Sequence, residues 1–374
     1  MAGRRKRPRI YDEKYYRNFG EQPNPLELQL GYGLIPLVDQ ELKAPLLEEI
    51  SYVRNQIDGE YGLPLPKVRI RDNMCLEAYE YKILLHGVEV GGYEKCNPHY
   101  VMCLDTGAVT EEISGEKTRD PAFDIDAVII PYSEKDEAQS RGYVIPEWPV
   151  VIRCHLYKII RKNITKFLDQ SMVNTLINKI RFQNPVVIDD IFFKHDFSTS
   201  DLKLILNWLL EEGVSIRDMN TILETIADNL KDKKKPVELM EKVREKLAYP
   251  IILNLAEDKR VHVLRISQTL CDFLTDHIVT PKSRTEVPYF LLESCDAKRF
   301  DSELGKKMKY ISDKGYRPVF ITASSLRTPL SNWVCHRLKC ECAYCITDVE
   351  ATEVYKDFDF SVEGKLELNK QRKN

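Results

Sequence analysis

Apolar residues recur along the chain with two rhythms that trade places. The segment LELQLGYGLIPLV (26–38) alternates apolar and polar at its start, the period-two pattern of a half-buried strand. Leu46, Leu47, Ile50, Val53 and Ile57 then fall on one face of a helix. KVRIRD (67–72) and EYKILLHGVEV (80–90) return to strand character, the second turning back at His86-Gly87. YVMCLD (100–105) and DAVIIPY (126–132) add two short strands around a loop-rich insert. That insert holds GEKTRDPAF (115–123), a charged run ending in Pro121, Ala122 and Phe123. Such a run predicts either a loop stapled to its own core or a pocket with an apolar floor beside a carboxylate.

After about Pro149 the pattern becomes helical, first in VVIRCHLYKIIRKNITKFL (150–168), and stays so to about residue 248. Ser198-Thr199-Ser200 suit the cap of DLKLILNWLLEE, and Gly213 suits its left-handed end. Ser215 with Asp218 three residues later resembles a capping box, and Pro236 is placed to open another helix after DKKKP. From about 250 strands reappear in VHVLRI, PVFITA and CECAYCI, separated by helical stretches such as 301–314. Residues 355–374 are charged and predict a frayed tail.

A length of 374 residues suggests several domains; 43% hydrophobic and 30% charged residues describe a soluble globular chain. A net charge of −3 gives no general case for nucleic-acid binding. Neither a membrane-spanning run nor a signal peptide is legible. Ten scattered cysteines in a chain of this size point to reduced thiols. The basic block GRRKRPR (3–9) reads as a flexible arm or the cytoplasmic flank of a membrane segment, with nucleic-acid contact as the alternative.

Catalytic motifs are absent: no nucleophile elbow, zincin helix, dinucleotide fingerprint or phosphate loop occurs. Cys335, His336, Cys340, Cys342 and Cys345 invite a zinc reading, but strand alternation sends Cys345 to the face opposite Cys340 and Cys342. Buried thiols are the simpler reading. Asp189-Asp190 ahead of His195 suggest a helix cap, and His155 a packed or hydrogen-bonded side chain. Neither enzymatic activity nor a cofactor is implied.

Several stretches, in this order, resemble one family: LELQLGYGLIPLVD (26–39), VRIRDNM (68–74), EYKILLHGVEVG (80–91), GEKTRDPAFDIDAVII (115–130), HLYKII (155–160) and EEGVSIRDMNTILETIAD (211–228). Together they are similar to the cytoplasmic half of the type III secretion export gate, the FHIPEP family of flagella and injectisomes. The resemblance weakens in the last third, where RPVFITASSLRTPL carries it. Its flagellar forms are the better match; an injectisome gate is the alternative, and a zinc protein built on 335–345 the more distant one.

The resemblance implies an α+β, multi-subdomain fold. Residues 1–25 would link to a membrane half that precedes this segment. Residues 26–98 and 148–167 would form a mixed α/β first subdomain, with 99–147 inserted as a small β-containing second. Residues 168–248 would form an all-helical third subdomain, 249–354 an α/β fourth, and 355–374 a tail. It further implies a docking platform at the cytoplasmic face of the bacterial inner membrane that orders the secretion of export chaperone–substrate complexes. Other expected partners are the ATPase complex, a switch protein and further copies in a nine-membered ring; no nucleic acid is expected, and membrane contact would run only through the preceding half. Asp120 and Phe123 match cleft positions of the family, flanked by Pro121 and Ala122. A third cleft position falls on Cys154, where flagellar members typically carry Thr. In this expectation Phe123 is an apolar floor and Asp120 a rim charge that orients a basic or polar group. Gly31 matches a glycine tied to conformational behaviour, with a hinge, close packing or a simple bulge all consistent with a glycine in a strand.

Overall fold

A computed structural model describes residues 23–194, 197–232, 234–340 and 343–368. The chain is α+β and divides into two compact units, one reaching Ile57 and resuming over Pro64–Asn163, the other comprising Asp58–Leu63 and the chain from Ile164 onward.

The first unit contains β1 (Leu26–Leu30), most of α1 (Pro45–Tyr61), whose residues from Asp58 on belong to the second unit, β2 (Arg69–Asp72), β3 (Tyr81–Leu85) and β4 (Val88–Tyr93). The strands form one sheet in the order β2-β1-β3-β4, with only β1 and β2 parallel. The expected turn at His86-Gly87 is present; both residues have positive φ, the geometry of a tight two-residue hairpin. The strand expected over 26–38 ends early. Gly31 and Gly33 donate their N–H groups to the Glu80 and Ala78 carbonyls, and Tyr32–Leu37 winds into a 3₁₀ helix. Of the predicted helix face, Leu46, Ile50, Val53 and Ile57 are buried.

A second sheet follows in the same unit, from β5 (Tyr100–Leu104), β6 (Glu116–Arg119) and β7 (Asp126–Pro131), in the order β5-β7-β6 and antiparallel throughout. The charged run is thus an edge strand, where the sequence suggested a loop. Both of its faces meet water, so the apolar alternation that marks most strands is missing. A small core of Val101, Cys103, Ile130, Ala138 and Tyr143 lies under this sheet, Ala138 coming from α2 (Lys135–Ser140). The unit closes with α3 (Trp148–Lys162), whose helical run stops short of the expected 168.

In the second unit, α4 (Gln170–Gln183), α5 (Pro185–Lys194), α6 (Thr199–Glu211), α7 (Met219–Asn229), α8 (Pro236–Lys246) and α9 (Ala248–Leu255) come first. Ser198 caps α6 in a reciprocal box with Asp201, and Gly213 follows its end at φ 71°. The other expected box is replaced: Asp218 itself caps α7, accepting from Thr221 N–H at 3.1 Å. Asp189 and Asp190 lie inside α5 rather than at its start, and Asp190 pairs with Lys194. His195 lies outside the described residues, as do residues 3–9.

The remainder comprises β8 (Arg260–Ile266), α10 (Gln268–Thr275), β9 (Ile278–Val279), β10 (Tyr289–Phe290), α11 (Ser294–Asp313), β11 (Val319–Thr322), α12 (Ser324–Asn332), β12 (Tyr344–Thr347), α13 (Asp348–Glu353) and β13 (Asp359–Leu366). An all-parallel sheet runs β12-β11-β8-β13. β13 corrects the expectation of a frayed tail. Asp359 and Lys365 are exposed, Glu363 pairs with His262 at 2.8 Å and Lys314 at 2.9 Å, and Phe358 and Leu366 anchor the ends of the strand in the interior.

A buried ionic cluster joins helices and sheet inside this unit. Arg327 of α12, fully buried, donates to Glu241 of α8 (Nε to Oε2, 2.7 Å) and to Glu212 after α6 (2.8 Å). Arg244 of α8 shares Glu212 (2.8 Å) and faces Glu350 of α13 (3.0 Å). Burial pushes the Glu241 carboxyl up, but the Arg327 charge and hydrogen bonds outweigh it and hold the group below its usual range. Breaking such a cluster strands the remaining charges in the interior. Arg327→Met should therefore destabilise the chain by about 3–5 kcal/mol in denaturant melts. A change below about 1 kcal/mol would mean that water already solvates the cluster.

Candidate functional site

The site is built on the turn between β6 and β7. Asp120 is buried, and its Oδ2 accepts the Phe123 N–H at 2.6 Å. Its backbone closes the turn at both ends, the N–H donating to Ile125 O (2.9 Å) and the carbonyl accepting from Asp124 N–H (3.0 Å). Asp124 takes positive φ, which Asp tolerates better than most residues. Outside, Arg119 grips the Asp124 carboxylate at 2.8 Å and Asp126 at 3.1 Å. Within the turn Ala122 is fully buried, whereas Phe123 is 57% exposed.

This arrangement answers the question raised by GEKTRDPAF with a part of each alternative. The turn is stapled to its core, through Asp120 and Ala122. Phe123 is excluded from that core. Asp120 is therefore not an exposed rim charge: it is buried, one of its carboxylate oxygens accepts the Phe123 N–H, and what it fixes is the outward display of the ring.

Helix α3 supplies the facing wall. Lys158 places its ammonium 6.0 Å from the centroid of the Phe123 ring. Cys154, half-buried, lies one turn earlier on the same helical face. His155, next to it, points inward. It is buried and shares a 2.7 Å hydrogen bond between Nδ1 and the Tyr81 hydroxyl of β3, as expected of a packed side chain. Burial first, and the Lys158 charge second, lower its pKa to about 4, so the imidazole is neutral near pH 7. Gly91 on β4 makes room for it: a Cβ there would meet Nε2 at 2.8 Å.

Two side-chain bonds tie the first sheet to the second, Tyr93 to Thr118 (3.0 Å) and Lys95 to Glu116 (2.6 Å). An open pocket of about 320 Å³ beside them is lined by Glu80, Lys82, Glu89, Tyr93 and Lys95. Its lysines are already paired, Lys82 with Glu89 and Lys95 with Glu116.

Of the residues singled out in the sequence, Asp120, Pro121, Ala122 and Phe123 share one turn, and Cys154 reaches its neighbourhood through α3. Gly31 does not join them. Its neighbours are the carbonyls of Glu77 and Ala78, which a Cβ would meet at 2.0 and 2.7 Å. Its φ of −67° is open to any residue, so close backbone approach, and no special torsion, requires the glycine here. Sequence reasoning missed Lys158, whose spacing of four from Cys154 was the available signal, and Arg119.

The cysteine cluster does not gather. Among the described residues Cys335, His336, Cys340 and Cys345 form no set of three donors within metal-ligand reach, and Cys342 lies outside them. Burial pushes the Cys335 thiol up to about 11 and the Cys345 thiol higher still. Among the described residues the one grouping of suitable donors, Glu293, Cys295 and Asp296, is largely exposed.

Residues 6–352 match the FHIPEP family profile. The chain belongs to the FHIPEP family. It is 35% identical over 313 residues to the flagellar biosynthesis protein FlhA of Treponema pallidum, covering 83% of this chain and 43% of that protein. The chain thus spans less than half the length of that relative. Its fold is that of the Chlamydia pneumoniae CdsV protein, with a TM-score of 0.78, 20% identity and coverage of 93% and 99% of the two chains. CdsV in complex with CdsO gives a TM-score of 0.77 at 19% identity, over the same shares of each chain. Nonameric EPEC SctV-C gives 0.72 at 18% identity, over 93% of this chain and all of the other. No helix among the described residues of this FHIPEP chain is long and apolar enough to cross a membrane.

If Asp120 acts as the buried cap of the turn, Asp120→Ala should cost about 1–3 kcal/mol of stability. Asp120→Asn, which keeps an acceptor oxygen, should cost much less. Equal and negligible losses in denaturant melts would contradict the assignment.

Proposed function

We propose that this chain is a docking platform of a type III export gate, on which export chaperone–substrate complexes seat by covering Phe123 before secretion. The observation that carries the reading is an aromatic ring held out of the core by a turn rigid enough to keep it there. A presented aromatic on an ordered backbone supplies buried area at little entropic cost, which is how binding hot spots work. Family membership supports the gate, and the flagellar name of the Treponema relative favours flagellar assembly over an injectisome. In this reading the chain is a transport component, not an enzyme.

The rest of the assembly follows from the same reading. The chain would work at the cytoplasmic face of the inner membrane, its four subdomains divided as the sequence resemblance implies. CdsV has been solved with CdsO, which supports a second export-apparatus protein as a partner. SctV-C is nonameric, which supports a ring. Within the helical part of the second unit, Phe182, Val186 and Phe193 on α4 and α5 are strongly exposed and offer an apolar surface for contact between copies.

Phe123→Ala tests the docking reading. Because the ring is largely in water, the change should leave the melting temperature within a degree or two of the parent, an effect within about 0.5 kcal/mol. Titration with a purified export chaperone–substrate complex should show binding weakened by about 2 kcal/mol, roughly thirtyfold. Unchanged affinity would sink the proposal.

A further inference from the structure

Beside Phe123 stands one cation that no carboxylate of the described residues holds, and it bears on what covers the ring. Asp120, the carboxylate nearest in sequence, is buried and engaged by the Phe123 amide. Asp124 and Asp126 are exposed and share the single guanidinium of Arg119, so the turn keeps a negative excess on its outer side. On the other walls Lys82 and Lys95 have their own carboxylates, and Arg153 of α3 is paired with Glu49 at 3.0 Å. His155 contributes no charge near pH 7. Lys158 differs from all of these. Among the described residues it has no carboxylate partner, and its ammonium stands by the ring at 6.0 Å, the outer limit of a cation–π contact. So weak a contact leaves the ammonium available to an incoming anion.

We infer that the segment seated on Phe123 carries a carboxylate that pairs with Lys158, beside the apolar group that covers the ring. The inference rests on the docking reading and departs from the expectation drawn from the sequence, in which a rim aspartate would orient a basic or polar partner group. An acidic amphipathic helix has the required chemistry: apolar residues on one face cover Phe123, and a Glu one turn away reaches the ammonium. Charge complementarity of this kind sets partner choice and encounter rate more than total affinity.

The test uses two synthetic helical peptides that share an apolar Leu/Tyr face and differ only in flanking Glu or flanking Lys. Their binding is followed by chemical-shift titration on the parent chain, Lys158→Glu, Lys158→Arg and Phe123→Ala. The Glu peptide should bind the parent about tenfold more tightly than the Lys peptide at low salt, a preference that shrinks at high salt. Lys158→Arg should keep that order and Lys158→Glu should invert it, while Phe123→Ala weakens both peptides alike. An order that survives Lys158→Glu, or a parent chain that prefers the Lys peptide or binds neither, overturns the inference. Persistent weakening by Phe123→Ala in the first of these cases would leave the docking reading standing. Indifference of both peptides to Phe123→Ala would remove that reading as well.

Discussion

A single hydrogen bond, from the Phe123 amide to the buried carboxylate of Asp120, governs the geometry of the candidate site. A carboxylate taken out of water must find donors, and a backbone N–H three residues on is the nearest that a tight turn provides. Meeting that demand folds Pro121 and Ala122 beneath the turn and leaves the next side chain no inward path. Phe123 is in water because Asp120 is not. The neighbouring charges reinforce the same geometry, Arg119 holding the outer carboxylates of Asp124 and Asp126.

Charge is handled in a related way in the second unit, where two guanidinium groups, Arg327 and Arg244, hold the three carboxylates of Glu212, Glu241 and Glu350. Such a cluster adds little net stability compared with an apolar core of equal volume, but it penalises any arrangement that separates its members. Its members come from α8, α12, α13 and the end of α6, so helical and sheet elements of that unit are fixed against one another. Most charges that the fold brings inward are thus consumed by the fold. At the β6–β7 turn the exposed ring of Phe123 and the ammonium of Lys158, which has no carboxylate partner among the described residues, are left for recognition.

Much of this was legible in the sequence where the signal is local. The hairpin at His86-Gly87, the Ser198 cap and the apolar face of α1 rest on turn chemistry and periodicity that a short window contains. β6 and β13 were not legible, since a charged edge strand has no apolar alternation to announce it. The 3₁₀ turn after Gly31 depends on carbonyls near Glu77 that only the folded chain brings close. For the site, the motif 120–123 and the helix bearing Cys154 were both apparent from the residues that carry the family resemblance. The polarity was not: whether Asp120 faces water or its own backbone is decided by the turn it closes. Arg327 reads as an ordinary helix residue until Glu212 and Glu241 arrive from other helices.

The central claim is that Phe123, held outward by Asp120, is the surface an export chaperone–substrate complex covers. Site-specific photo-crosslinking measures that contact directly, with benzoylphenylalanine placed at position 123 and, as a comparison, at the exposed position 182. The account predicts that the probe at 123 captures the chaperone–substrate complex and that the probe at 182 does not. Capture from 182 with none from 123 would contradict it.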